Sequence, residues 1–126
     1  MGIDIAERHT FSHLDQASIR RAAARWLRPH ERAWCAAQPS FREALVVVLS
    51  CREAMYKAWG VSGQAHQTRV LMHGRWGSGW AERAGLHTPT VVASYLVSGA
   101  SILTVAVAAP AGYARHMLDR IIETLA

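Results

Sequence analysis

The chain has 126 residues, a length that fits one domain with a real core and leaves little room for a second. Hydrophobic residues make up 51% and charged ones 18%, which excludes a disordered chain. The net charge of +5 points to acidic partners: nucleotide phosphates, an acidic protein or nucleic acid.

Gly2–Ala6 reads as a short buried strand. Asp15 is placed to cap a helix whose apolar positions Ile19, Ala22, Ala23 and Trp26 recur at helical spacing. The opposite face of that helix carries Arg20, Arg21, Arg25 and Arg28, either a solvated face or a docking surface for an acidic helix. Pro29 suits the first position of a second helix, His30–Ala37, with Glu31 in its first turn. Ser40 caps a third helix, Glu43 completes a capping-box pattern, and the helix runs to about Trp59, where Gly60 ends it. Trp26, Trp34 and Trp59 are expected in the core.

Val61–Gln67 reads as a loop and Thr68–His73 as a strand. Gly77 and Gly79 frame a turn before a short helix, Trp80–Ala84, closed by Gly85. From Ala84 to Ala114 there is no Asp, Glu, Lys or Arg, long enough to span a membrane. Pro89 and Pro110 bracket it, however, and its β-branched density around Ser98-Gly-Ala-Ser101 fits a hairpin better, Val91–Val97 with Ile102–Ala108. Ala111–Leu125 has the pattern of an amphipathic helix with Met117, Leu118, Ile121, Ile122 and Leu125 on one side. The two cysteines, Cys35 and Cys51, lack CxxC or histidine-paired spacing and read as reduced buried thiols. The N-terminus has no basic segment followed by an apolar one, so no signal peptide is expected and a cytoplasmic location is.

Chemistry concentrates in Ser50-Cys-Arg-Glu-Ala-Met-Tyr-Lys-Ala-Trp-Gly60. Glu53 stands one helical turn before Lys57, a spacing that most often marks a surface pair worth about 0.2–0.5 kcal/mol. Here Glu53 follows Val46-Val-Val-Leu49 on the most apolar helix, where an idle acid is costly to bury. Asp4 similarly adjoins Ile3 and Ile5. Two acids and a lysine from distant segments suit a divalent cation and a phosphate-bearing substrate.

Gly2-Ile-Asp4 and the Ser50–Gly60 stretch together resemble the paired signature of 4'-phosphopantetheinyl transferases, G-[IV]-D and [FWS]-x-K-E-A-x-x-K-A-x-G. Length and order resemble the small holo-acyl-carrier-protein synthases. The resemblance implies an α+β fold, one domain over residues 1–126 with a small antiparallel sheet packed against a long central helix. The C-terminal helix at about 111–125 is then an addition, either covering the core or binding a partner. It also implies transfer of 4'-phosphopantetheine from coenzyme A to a serine of an acyl or peptidyl carrier protein, with release of 3',5'-ADP.

In that family Asp4, Glu53 and Glu7 correspond to acids at a Mg²⁺ (or Mn²⁺) site, and Glu53 also to a candidate base for the serine proton. Lys57 and Arg52 correspond to contacts of the coenzyme A phosphates, Gly60 to a close approach of the backbone to the cofactor, and Ser94 to a residue of a strand bordering it. Leu27-Arg-Pro-His-Glu31 resembles a segment whose acid approaches the metal through water. Arg20, Arg21 and Arg25 become the expected carrier-protein contacts. A homotrimer with sites between subunits is the family's assembly, and fatty-acid or polyketide synthesis its setting.

The chain departs from the family in several places. Arg52 replaces the lysine before the motif glutamate, and a planar guanidinium is no copy of an ammonium at a tight phosphate site. Of the family's H-V-S-x-[ST]-H strand, Val92-Ala-Ser-Tyr-Leu-Val97 keeps only Ser94. Thr10 stands where many relatives have a carrier-binding arginine, and Val61–Trp80 is short enough to lack a strand. These departures leave a second reading: a catalytically impaired relative that binds carrier proteins or acts as a scaffold. A nucleic-acid binder is a third, with charge but no recognisable motif behind it, and no membrane partner is expected.

Overall fold

The structure, a computed structural model, describes residues 1–59, 68–73, 76–81, 91–108, 116, 119–121 and 123–124. The elements are β1 (Gly2–Glu7), α1 (Gln16–Trp26), α2 (Pro29–Ala36), α3 (Phe41–Trp59), β2 (Thr68–His73), β3 (Trp76–Ala81), β4 (Val91–Ser98) and β5 (Ser101–Ala108). The five strands form one antiparallel sheet in the order β1-β5-β4-β3-β2. The fold is therefore α+β, with a small antiparallel sheet laid against a long central helix.

Local chemistry sets the helix boundaries. Asp15 accepts a hydrogen bond from Ser18 N at 2.7 Å and starts α1, and this bond holds its carboxyl below the usual range. Pro29 opens α2, and the Glu31 side chain folds back to accept from Arg28 N at 2.6 Å. Ser40 Oγ accepts from Glu43 N at 3.3 Å at the start of α3, while the Glu43 carboxylate turns to Arg8 Nε at 2.9 Å.

Leu45, Val48, Cys51, Ala54 and Met55 of α3 are buried against Val91 and Ala93 of β4 and Ile102 and Ala106 of β5. Alternation along each strand sends Val92, Leu103, Val105 and Val107 to the other face. Ile121, within a C-terminal stretch whose described residues are helical, packs there. Most of the expected 111–125 helix lies outside the described residues. At Gly99, φ is +58°, the left-handed turn that lets β4 return as β5.

Three expectations fail. Trp80 and Ala81 belong to β3, so the expected Trp80–Ala84 helix does not begin there, and the 61–80 interval contributes strands β2 and β3 rather than lacking one. The backbone of Gly77 and Gly79 pairs on both sides, with Met72 and Ala93 and with Val70 and Val91. Non-local ladders thus override the local turn signal. Trp26 is the third correction: it is 44% exposed at the end of α1 and packs on Phe11 with ring centroids 6.0 Å apart. Trp34 is half-buried edge-on to Tyr95, and the side chain of Trp59 lies outside the described residues. Among the described residues no helix is long and apolar enough to cross a membrane.

Candidate active site

The site begins with a close approach. A Cβ on Gly2 would run into the carbonyl oxygen of Ala54 and lie 2.6 Å from Ala58 N, so only glycine lets β1 lie directly on α3. Two residues later, on the same face of β1, Asp4 meets the helix. Ser50 Oγ donates to Asp4 Oδ2 at 2.6 Å, and Lys57 Nζ donates to Asp4 Oδ1 at 3.3 Å and to Ile3 O at 3.1 Å. The Asp4 side chain is 17% exposed and that of Lys57 46%, so the pair sits at the rim, one oxygen turned inward and one toward solvent. Ser50 Oγ also lies 2.9 Å from Thr104 Oγ1 of β5, the residue paired with Asp4 in the strand register.

Glu53 lies between the two helix residues that touch Asp4, three after Ser50 and four before Lys57, on the same side of α3. It is half-buried and lines a cleft of about 710 Å³ with Phe11, Arg25, Trp26, Arg28, Leu49 and Arg52. This cleft is basic and aromatic, walled by the end of α1, the start of α2 and the middle of α3. Arg20 and Arg21, on the exposed part of α1, lie outside its lining: Arg20 sits over the Phe41 ring at 5.4 Å and Arg21 donates to Ser18 Oγ at 3.1 Å.

Other expected residues go elsewhere. The strand runs on to Glu7, an odd offset from Asp4, so alternation places Glu7 with Ile3 and Ile5 on the opposite face. Among the described residues, no three acid, histidine or cysteine side chains form a group able to hold a metal. Within one chain Glu7 thus faces away from Asp4. Ser94 pairs with Val105 on the face away from α3, and so does not share Asp4's face within one chain. Gly60 lies outside the described residues.

Glu31 and Arg52 depart furthest from expectation, because they find each other. Arg52 Nη2 donates to both Glu31 oxygens, at 2.9 and 3.0 Å, and Arg52 Nη1 donates to Trp26 O at 2.9 Å. Glu31, fully buried, also accepts from Val70 N at 3.2 Å. The acid expected near a metal through water instead clamps α2, α3 and β2 together, and Arg52 spends its terminal nitrogens on that clamp. Its Nε, in the cleft wall, has no partner among the described residues.

The cysteines are inert. Burial, helped by the Glu31 charge, pushes the Cys35 thiol up to about 12. Burial likewise pushes Cys51 to about 12, with Thr104 lowering it and the Asp4 charge raising it.

Ser50 and Thr104 carried no role in the sequence reading. Ser50 stands two helical turns before Lys57, a spacing that puts both on one face and was available as a signal. Thr104 had none, since only the β1–β5 register brings it to Asp4.

Asp4 Oδ1 at the rim and the Glu53 carboxylate on the same side of α3 are oxygen donors of the kind a hard cation takes, and Lys57 must leave Asp4 before such an ion could bind there. The family model of the 4'-phosphopantetheinyl transferase superfamily matches residues 1–93, which include Asp4, Glu53 and Lys57. Among curated proteins no match to the chain is found. With well over half its length matched and the two halves of the signature in contact through Asp4, the chain belongs to the 4'-phosphopantetheinyl transferase superfamily, and its general chemistry is that of a transferase moving phosphopantetheine.

Proposed function

We propose that this chain is a holo-acyl-carrier-protein synthase, which moves 4'-phosphopantetheine from coenzyme A to a serine of an acyl or peptidyl carrier protein. The observation behind this reading is the contact of Asp4 with Ser50 and Lys57, which joins the N-terminal motif to the helical one. Asp4 Oδ1 and the Glu53 carboxylate are the oxygens that would hold Mg²⁺ or Mn²⁺. Such an ion supplies neutralisation of diphosphate charge.

Lys57, now paired with Asp4, is the movable cation of the site: released from that carboxylate, it reaches a phosphate as a point charge. Glu53, unpaired among the described residues and facing the cleft, is the group to take the serine proton. The serine oxygen bonds the β-phosphorus, the bond from that phosphorus to the bridging oxygen breaks, and 3',5'-ADP leaves with the electron pair. Gly60 and Ser94 stay in the proposal as cofactor contacts, Ser94 only from a neighbouring subunit. Arg52 has only Nε left for a cofactor contact, since its other nitrogens are taken.

Arg25 on the cleft rim, with Arg20 and Arg21 along α1, suits the acidic helix of a carrier protein by charge complementarity. Assembly with like subunits, a homotrimer by family resemblance, is supported by Ile3 and Ile5, which are 49% and 70% exposed on the outer face of β1. A cytoplasmic setting in fatty-acid or polyketide synthesis completes the reading.

A second reading, a non-catalytic relative that binds carrier proteins, is favoured by one observation: the Arg52 guanidinium is committed to Glu31. Incubation with Mg²⁺, coenzyme A and apo carrier proteins separates the two. A carrier heavier by one phosphopantetheine supports the enzyme. Binding without any mass gain, across several carriers, supports the module.

A further inference from the structure

We propose that Ser50 and Thr104 are positioning residues for Asp4, a relay of two buried hydroxyls that fixes which carboxylate oxygen faces a cation. The inference rests on the metal reading of Asp4 above. Proton counting sets the direction of the relay. Ser50 has one hydroxyl proton, and the 2.6 Å contact with a carboxylate that can only accept consumes it. In the 2.9 Å contact with Thr104, Ser50 Oγ must then accept, so Thr104 is the donor. The order is Thr104 to Ser50 to Asp4 Oδ2, across three elements: β5, α3 and β1.

Burial argues that this is a built feature. Thr104 is wholly buried and Ser50 nearly so, in a core where Ala54 and Ile102 are apolar and the Cys51 thiol hydrogen-bonds Thr104. Alanine at position 50 would favour the helix more than serine does. A serine inside a helix commonly turns its proton back to its own backbone, whereas this one sends it across to the neighbouring strand. With Oδ2 held inward, Asp4 keeps only Oδ1 for the rim, where Lys57 now sits. The relay thereby selects a single-oxygen ligand whose orientation is fixed by the core, the usual work of groups behind a metal ligand.

The test is Mn²⁺ binding to the full chain followed by electron paramagnetic resonance, with thermal melts to confirm folding. Ser50→Ala should weaken Mn²⁺ binding by about 10–100-fold, the range for removing a group that orients a ligand. Thr104→Val, nearly isosteric, should weaken it in the same direction, and Thr104→Ser, which keeps the hydroxyl, should stay within about threefold of the parent. A purely structural role would move the melts and leave affinity of the folded variants unchanged. If Ser50→Ala fails to fold, the Thr104 pair decides alone. Parent-like affinity in folded Ser50→Ala, or equal losses in Thr104→Val and Thr104→Ser, overturns the relay. A parent that takes up no Mn²⁺, or an Asp4→Ala variant that binds as well as the parent, overturns the metal reading and the relay with it.

Discussion

Replacing Arg52 by methionine puts the buried clamp to a direct test. The variant keeps the apolar stem but strands Glu31, fully buried, with the backbone N–H groups of Arg28 and Val70 as its remaining donors among the described residues. Breaking a buried ion pair from one side typically costs about 3–5 kcal/mol, most of it the desolvation of the remaining charge. For 126 residues, an unfolding entropy of about 2.1 cal/mol/K per residue converts each kcal/mol into about 4 °C. The expected fall in Tm is therefore about 12–20 °C. Adding Glu31→Gln removes the stranded charge while keeping a carbonyl oxygen for the backbone donors, so the double variant should regain at least half of that loss. Differential scanning calorimetry at neutral pH measures all three chains. A loss below about 1 kcal/mol in the single variant, or simple additivity in the double, would refute the clamp.

Gly2→Ala should destabilise by about 1–3 kcal/mol or more, because the new methyl meets helix backbone and not a yielding side chain; a parent-like Tm would argue against the β1–α3 seam. Asp4→Ala and Glu53→Ala should each abolish carrier modification, read by mass spectrometry, while circular dichroism shows the fold retained; full activity in either removes that residue from the metal site. Lys57→Ala should weaken coenzyme A binding, measured by calorimetry, more than it lowers Tm, since the ammonium is half exposed. Both thiols have folded values raised above the ordinary one, so their contribution to stability is complete below about pH 9 and fades as pH climbs toward 12. Melts from pH 8 to 11 should show that decline, and native protein at pH 8 should resist a thiol reagent that labels it once unfolded.

Much of the architecture was legible because its signals are local. Capping residues Asp15 and Ser40, Pro29, the apolar repeat of α3 and the Ser-Gly-Ala-Ser turn each act within a few residues, and all appear in the structure. β3 was illegible for the opposite reason: Gly77 and Gly79 look like a turn until β2 and β4 supply ladders on either side. Within the site, the motif residues Asp4 and Lys57 were visible and do meet. Glu7 was matched to the site by resemblance alone, and strand alternation puts it on the face opposite Asp4 within one chain. The Glu31–Arg52 pairing spans 21 positions and depends on how α2 docks on α3, which no local pattern encodes. Arg52 in place of lysine was a visible hint, since a guanidinium can hold both oxygens of one buried carboxylate.

Asp4 and Thr104 stand opposite each other in the sheet although 100 positions separate them in the sequence. During synthesis at about 5–20 residues per second, β1 must wait several seconds for the strand that completes it. Until then Ile3 and Ile5 border an unzipped edge, and the Ser50 hydroxyl bonded to Asp4 has no Thr104 behind it. A nascent or truncated chain ending before Ser101 therefore lacks both the strand that pairs with β1 and the hydroxyl that backs Ser50.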